Sequence, residues 1–289
     1  MYVYKTLTTE SKDLTLENFE TDTMKKPPYY MPNSPDAQYA ICPACDNPIQ
    51  ILGLYKELAH TDKPYAKHYD GSIDGLAVSN KENYDLCPYA NPQRHDKNSK
   101  REHLEGIPNK VIALIKDEFH SIMRYLCDIT GININRNLAR KMLKTYMGQE
   151  AYLYTGATLT NYPLMIAYFS NAQSLFRQSV RTDSALEKAI KDKLPEVALT
   201  GDFNNINSLN KFVEVSMVFI GHKFHAGIDY TSYNVFTVRN RKDAIILKES
   251  VSFNYHEYKE YKHPPRTDRD FLFLQIAAEV IEQSLHKTN

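Results

Sequence analysis

Cys42-Pro43-Ala44-Cys45 constrains this chain more than any other stretch of it. Two thiolates separated by two residues can reach one tetrahedral ion at about 2.3 Å, because the backbone between them turns tightly. Pro43 presets that turn and Asp46-Asn47-Pro48 continues it. The flanks, residues 38–41 and 49–54, read as two short strands, so the pair sits on a hairpin-borne knuckle. A tetrahedral structural site needs two further ligands. Cys87, in Leu86-Cys87-Pro88, is the cysteine left outside a helical pattern. His68, in Lys67-His68-Tyr69, is the best fourth ligand, with His60 and His95 in reserve. A redox pair normally opens a helix in a βαβ setting, and Pro48 ahead of an apolar strand argues against one. The expectation is one structural zinc ion on Cys42, Cys45, His68 and Cys87. Three sulfurs and one nitrogen close the coordination sphere and leave no position for an activated water. Cys127, next to Leu126 on a helical face, reads as a buried thiol.

The remaining length asks for more than a metal knuckle. A chain of 289 residues with 42% hydrophobic and 24% charged residues has the composition of a globular protein with room for two domains. Residues 1–38 open with a short strand and a Pro-rich stretch, and read as an extended arm. Residues 39–107 form the zinc module and a polar, basic linker. From residue 108 the period becomes helical: Val111, Ile112, Ile115, Phe119, Ile122, Met123 and Leu126 make one apolar face, which Thr130-Gly131 ends. Further helices are expected at residues 135–147, 163–180 and 183–194. Strand patterns follow over 211–256, with a hairpin turn at 240–243, and a last helix spans 267–286. The fold class is therefore α+β: an amino-terminal zinc knuckle module, a helical middle over 108–195, and an antiparallel sheet closed by a helix.

Within residues 40–90, the CxxC knuckle, the apolar strand, Tyr65-Ala66-Lys67-His68 and the later Cys87 together are similar to the amino-terminal zinc module of CoiA-like competence proteins. In that family a His-Phe-Ala-His element precedes the last cysteine, and a nuclease-like domain follows where this chain turns helical. The resemblance implies the zinc ligands and a bacterial or phage-type setting.

Arg136, Arg140 and Lys144 recur at four-residue steps, with Lys141 beside them, opposite Leu138, Met142 and Leu143. With the preceding helix and the short turn at 131–133, this has the outline of a helix-turn-helix whose cations suit phosphate contacts. Formal net charge is zero, from 35 basic and 35 acidic residues, so any such surface is local. The leading reading is nucleic-acid binding through Arg136, Arg140, Lys141 and Lys144. A protein-interaction subunit of a larger complex, with zinc purely structural, is the alternative. A third reading is a Mg-dependent nuclease of PD-(D/E)xK type, with Asp243, Glu257 and Lys259 as its acid and acid-x-Lys pair. His222 and His225, three apart on a strand, point to opposite faces and read as unrelated. Residues 1–18 lack the apolar stretch of a signal peptide, and no apolar run approaches the roughly 18 residues a bilayer needs. The expectation is a cytoplasmic protein without a membrane span.

Overall fold

Two separate apolar cores organise the chain, one in the first ninety residues and a larger one beyond. The computed structural model describes all residues except 33, 57, 202–203, 210–212, 240–241 and 287–289, together with the backbone alone at 34–35, 208, 238–239 and 242–243. In the smaller unit, β1 (Val3–Tyr4) pairs with β2 (Lys12–Asp13), and α1 (Leu16–Thr23) follows under a Thr15 cap that accepts from the Asn18 N–H. β3 (Tyr30–Met31), β4 (Ser34–Ile41), β5 (Pro48–Leu52) and β6 (Tyr65–His68) form an antiparallel sheet in chain order. α2 (Lys81–Asp85) closes the unit. The segment expected as an extended arm thus holds a helix and paired strands. Tyr4 and Phe19 are fully buried, edge to face at 5.2 Å. Its sequence hides this because α1 buries only Phe19 and Thr23, too few for a visible period.

The larger unit begins with α3 (Ile107–Thr130), whose apolar face is buried as its spacing requires, and which ends at Gly131 in the left-handed region (φ 70°). β7 (Ile132–Asn133) leads into α4 (Arg136–Gly148), and α5 (Tyr162–Tyr168) packs under both helices. The helix expected over 163–180 stops after seven residues: Asn171 and Arg177 take positive φ, and β8 (Gln173–Ser174) and β9 (Ser179–Val180) replace its second half. α6 (Ala185–Lys193) starts under Ser184, which accepts from the Glu187 N–H. β10 (Val197–Thr200) and β11 (Asn205–Ser208) join β9 and β7 in a small sheet of order β10-β11-β9-β7.

Three long strands follow: β12 (Val215–His225), β13 (Ile228–Arg239) and β14 (Lys242–Phe253), a meander with β8 on its edge. Part of the expected turn at 240–243 and Phe212 of the expected first strand lie outside the described residues. α7 (Tyr255–Tyr258) and α8 (Asp268–Leu285) complete the chain, and α8 lies against α3 and α4. The architecture is α+β, with antiparallel sheets, a carboxy-terminal helix and a Cys/His cluster near the amino terminus. Among the described residues no helix is long and apolar enough to cross a membrane.

Asp270 locks α8 in place. It accepts from the backbone N–H groups of Arg266 and Thr267, at 3.0 Å each, and from Arg124 Nη2 at 2.6 Å. Burial opposes its ionisation, but these donors outweigh burial and hold its carboxyl well below the usual carboxylate range. A depressed folded pKa gives stability that is present above the unfolded value, about 3.9, and is lost as pH falls through the folded one. Asp270→Asn is therefore expected to be less stable at pH 7 and to lose less stability between pH 5 and pH 2 than the parent, as urea denaturation across that range would read. Equal acid sensitivity in both proteins would contradict this role.

Candidate metal centre

The knuckle is built by its backbone. The Cys42 N–H donates to the Asn47 carbonyl at 2.8 Å and the Asp46 N–H to the Cys42 carbonyl at 3.0 Å, with Asp46 at φ 62°. This turn carries both sulfurs from the end of β4 to the start of β5. β6 pairs with β5 so that His68 stands opposite Ile49, which brings the imidazole to the same end of the sheet. Cys87 arrives from the chain leaving α2, where its N–H donates to the Tyr84 carbonyl at 3.0 Å. Asn47 joins the pieces: its Nδ2 donates to Cys45 Sγ at 3.4 Å, and its Oδ1 accepts from the N–H of Asn80, the residue that caps α2, at 2.6 Å. Tyr84 of that helix also packs edge-on to the His68 ring.

Cys42, Cys45, His68 and Cys87 are thereby gathered with their ligand atoms all within 4.8 Å of one another, and the three cysteines are buried. In a tetrahedral site with metal–sulfur bonds of about 2.3 Å, neighbouring sulfurs stand roughly 3.8 Å apart. Cys42 Sγ and Cys87 Sγ are 3.7 Å apart, and Cys45 Sγ lies 3.3 Å from His68 Nε2. Burial pushes the Cys42 thiol well up, while hydrogen bonding from Cys42, and then from Cys87, pulls Cys45 far below the usual thiol range. Three thiolates in this volume need a cation among them, and the donor set fits a borderline-soft, tetrahedral one. Such a centre carries one net negative charge, and buried Arg101, which lies in the field of Cys45 and Cys87, is placed to offset it. His60 is exposed and His95 bonds Thr155 Oγ1 at 2.9 Å; neither joins the cluster.

The other expected site residues are dispersed. Arg136, Lys141 and Lys144 are exposed on α4, whereas Arg140 pairs with Glu279 of α8 at 2.8 Å. The expected helix-turn-helix connection is drawn into a sheet, since Ile132 and Asn133 pair with Val180 and Ser179. Glu257 and Lys259 lie on α7 and the helical turn after it, not on a strand, so the acid-x-Lys geometry of a PD-(D/E)xK nuclease is not formed. Lys259 Nζ is instead committed to the Ser11 carbonyl at 2.8 Å. The Asp243 side chain lies outside the described residues. Cys127 is half-buried, and burial pushes its thiol up.

One polar group escapes a reading of the sequence. Asp229, in appearance a surface charge, is buried, and its Oδ1 lies 2.7 Å from His222 Nε2 and accepts from Asn161 Nδ2 at 2.9 Å. His222 Nδ1 lies 3.2 Å from the Tyr154 hydroxyl. A shift in register between Ile220 and Lys223, with Gly221 at φ 68°, turns His222 into the interior while His225 stays exposed. Gly221 just before a histidine was the available signal. The network borders a cleft of about 530 Å³ shared with Met1, Tyr89 and Phe224, on the seam between the two units.

No family model, curated protein or solved structure matches the chain.

Two outcomes follow from this geometry. Stripping the metal with a strong chelator is expected to raise amide hydrogen exchange across residues 34–68 and 81–87 while α3 and α8 stay protected; uniform protection would contradict a metal at this cluster. Asp229→Ala removes the partner of His222 Nε2 and leaves Asn161 Nδ2 with the Gly156 carbonyl alone, and is expected to cost about 1–3 kcal/mol in denaturant titrations, the penalty for orphaned buried polar groups. A neutral substitution would remove Asp229 from the structural account.

Proposed function

We propose that this chain is an intracellular protein that holds one structural zinc ion through Cys42, Cys45, His68 and Cys87 and binds nucleic acid through the outer face of α4. The convergence of four ligand atoms within 4.8 Å carries the zinc half of the reading. Cys₃His is a closed structural donor set, and reduced thiols suit a cytoplasmic setting. The order of ligands is also that of the zinc module in CoiA-like competence proteins, which supports a module of bacterial or phage type that takes in residues 39–107 together with the strands and helix before them, ahead of an α+β domain at 108–289.

For nucleic acid, the support is the exposure of Arg136, Lys141 and Lys144 on one helix whose opposite side is buried. None of the three pairs with a carboxylate among the described residues, so each is available to a phosphate, and each phosphate neutralised releases counterions. Arg140, tied to Glu279, is a packing residue first. The nuclease reading loses its main support with Glu257 and Lys259 on helical backbone. A protein-interaction role stays as the alternative, and salt separates the two, since a neutral interface lacks steep salt dependence.

Charge reversal of Arg136, Lys141 and Lys144 to Glu is expected to abolish binding to short DNA and RNA strands without shifting the thermal midpoint by more than a few degrees, because surface substitutions of this kind change stability by roughly 0.5 kcal/mol each. Binding that survives the reversal, measured by fluorescence anisotropy across a salt series, would sink the assignment to α4.

A further inference from the structure

A second cationic surface lies where α3, the turn after β9 and the start of α8 meet, in a cleft of about 620 Å³. Four guanidinium groups line it, from Arg124, Arg181, Arg266 and Arg269, with Asp270 among them. Asp128, the ion-pair partner of Arg181, is the nearby second acid. Four cations against two carboxylates leave an excess on a protein whose formal net charge is zero. With Asp270 paired to Arg124 and Asp128 to Arg181, the two cations left over are Arg266 and Arg269.

The arginines are held in ways that leave donors free. Each guanidinium carries five N–H donors in a planar fork. Arg269 is anchored through Nη2, to the Ile134 carbonyl at 2.7 Å and to Cys127 Sγ at 3.6 Å, with its guanidinium carbon 5.3 Å from the Phe273 ring centroid. Arg181 is anchored through Nη1 to Asp128 and is half exposed. Arg266 is exposed, with no side-chain partner among the described residues. Like charges gathered in a concavity repel one another unless an anion joins them, and planar guanidinium pairs match the oxygens of a phosphate.

We propose that this cleft is a phosphate-binding site, with Arg181, Arg266 and Arg269 as the donors to the phosphate oxygens. The site stands apart from the α4 face but adjoins it: Asn133 lines the cleft, Ile134 anchors Arg269, and Arg136 opens α4. The same chemistry serves a phosphodiester of a nucleic-acid strand or a free phosphomonoester.

Arg124 and Arg269 also hold the fold, so the test uses Arg181→Gln/Arg266→Gln, with Arg266→Gln alone as the variant that leaves every internal hydrogen bond in place. Two probes are applied to the full chain: inorganic phosphate against chloride at equal ionic strength, read as thermal stabilisation, and a short unphosphorylated single-stranded DNA, read by anisotropy over a salt series. The expected result is that phosphate stabilises the parent, and that this gain falls in Arg266→Gln and vanishes in the double variant. If the DNA also binds, the double variant should weaken it, with the salt slope reduced by about 0.7 for each phosphate no longer neutralised; the source is then a phosphodiester. Phosphate stabilisation without DNA binding supports the cleft, assigns it to a phosphomonoester and overturns the nucleic-acid reading. Phosphate that stabilises all three proteins equally, or none, overturns the cleft, whatever α4 does with DNA.

Discussion

Three buried cysteine sulfurs within 4.8 Å of one another cannot all be ionised without a cation between them, and the amino-terminal unit is arranged around that constraint. The β4–β5 turn, the end of β6 and the chain leaving α2 are joined by sheet pairing and by Asn47, and together they deliver Cys42 and Cys45, His68 and Cys87 to one point. Asn47 shows how closely the backbone is adapted to it, since one amide group supports a sulfur and at the same time the capping residue of α2. The small core of Tyr4, Phe19, Tyr39, Ile49 and Ile51 packs on one side of the cluster. It is larger than the residue pattern suggests, yet a unit of about ninety residues with this few buried side chains gains from a metal staple.

The cluster also fixes how the two units join. Asp46, held at positive φ by the knuckle turn, takes both Lys5 and Lys110, so the metal turn is tied to the first strand and to α3. The Leu159 N–H donates to the Ala44 carbonyl at 3.2 Å. Arg101, buried in what reads as a linker, donates to Asn83 Oδ1 at 3.4 Å and the Ala157 carbonyl at 3.3 Å. On the far side of the seam, His222, Asp229 and Asn161 form a buried network that stiffens the bend of β12 where Phe224 meets Tyr89. Ion pairs and hydrogen bonds therefore line this junction, although the buried Arg101 Nε has no partner among the described residues, and this distinguishes it from an unfinished apolar face.

What can be read from the residues follows from how local each signal is. The four ligands are legible because CxxC is a contiguous motif and few histidines and cysteines compete for the remaining places. α3 and α8 are legible from long apolar periods. The second half of the expected 163–180 helix does not form because Asn171 and Arg177 adopt positive φ, which no periodicity reports, and because β8 and β9 exist only by pairing with distant strands. The same non-locality hides the helix α1 and the burial of Asp229. Arg140 looks like its neighbours Arg136 and Lys144, and only the packing of α8 singles it out through Glu279. The cationic cleft draws on α3, the β9–α6 turn and α8, which lie up to 146 positions apart, as Arg124 and Asp270 do.

Cys42, Cys45, His68 and Cys87 lie where they could hold one metal ion, and the proposed function makes that ion a structural zinc and gives binding to the cationic surfaces of the larger unit. That centre is tested most directly by X-ray absorption at the zinc edge on the purified protein. The expected spectrum is that of one zinc per chain, with three sulfurs at about 2.3 Å and one nitrogen at about 2.0–2.1 Å, and with one sulfur fewer in Cys87→Ser. A metal-free protein that keeps its amino-terminal sheet, or a zinc with oxygen in its coordination sphere, would contradict it.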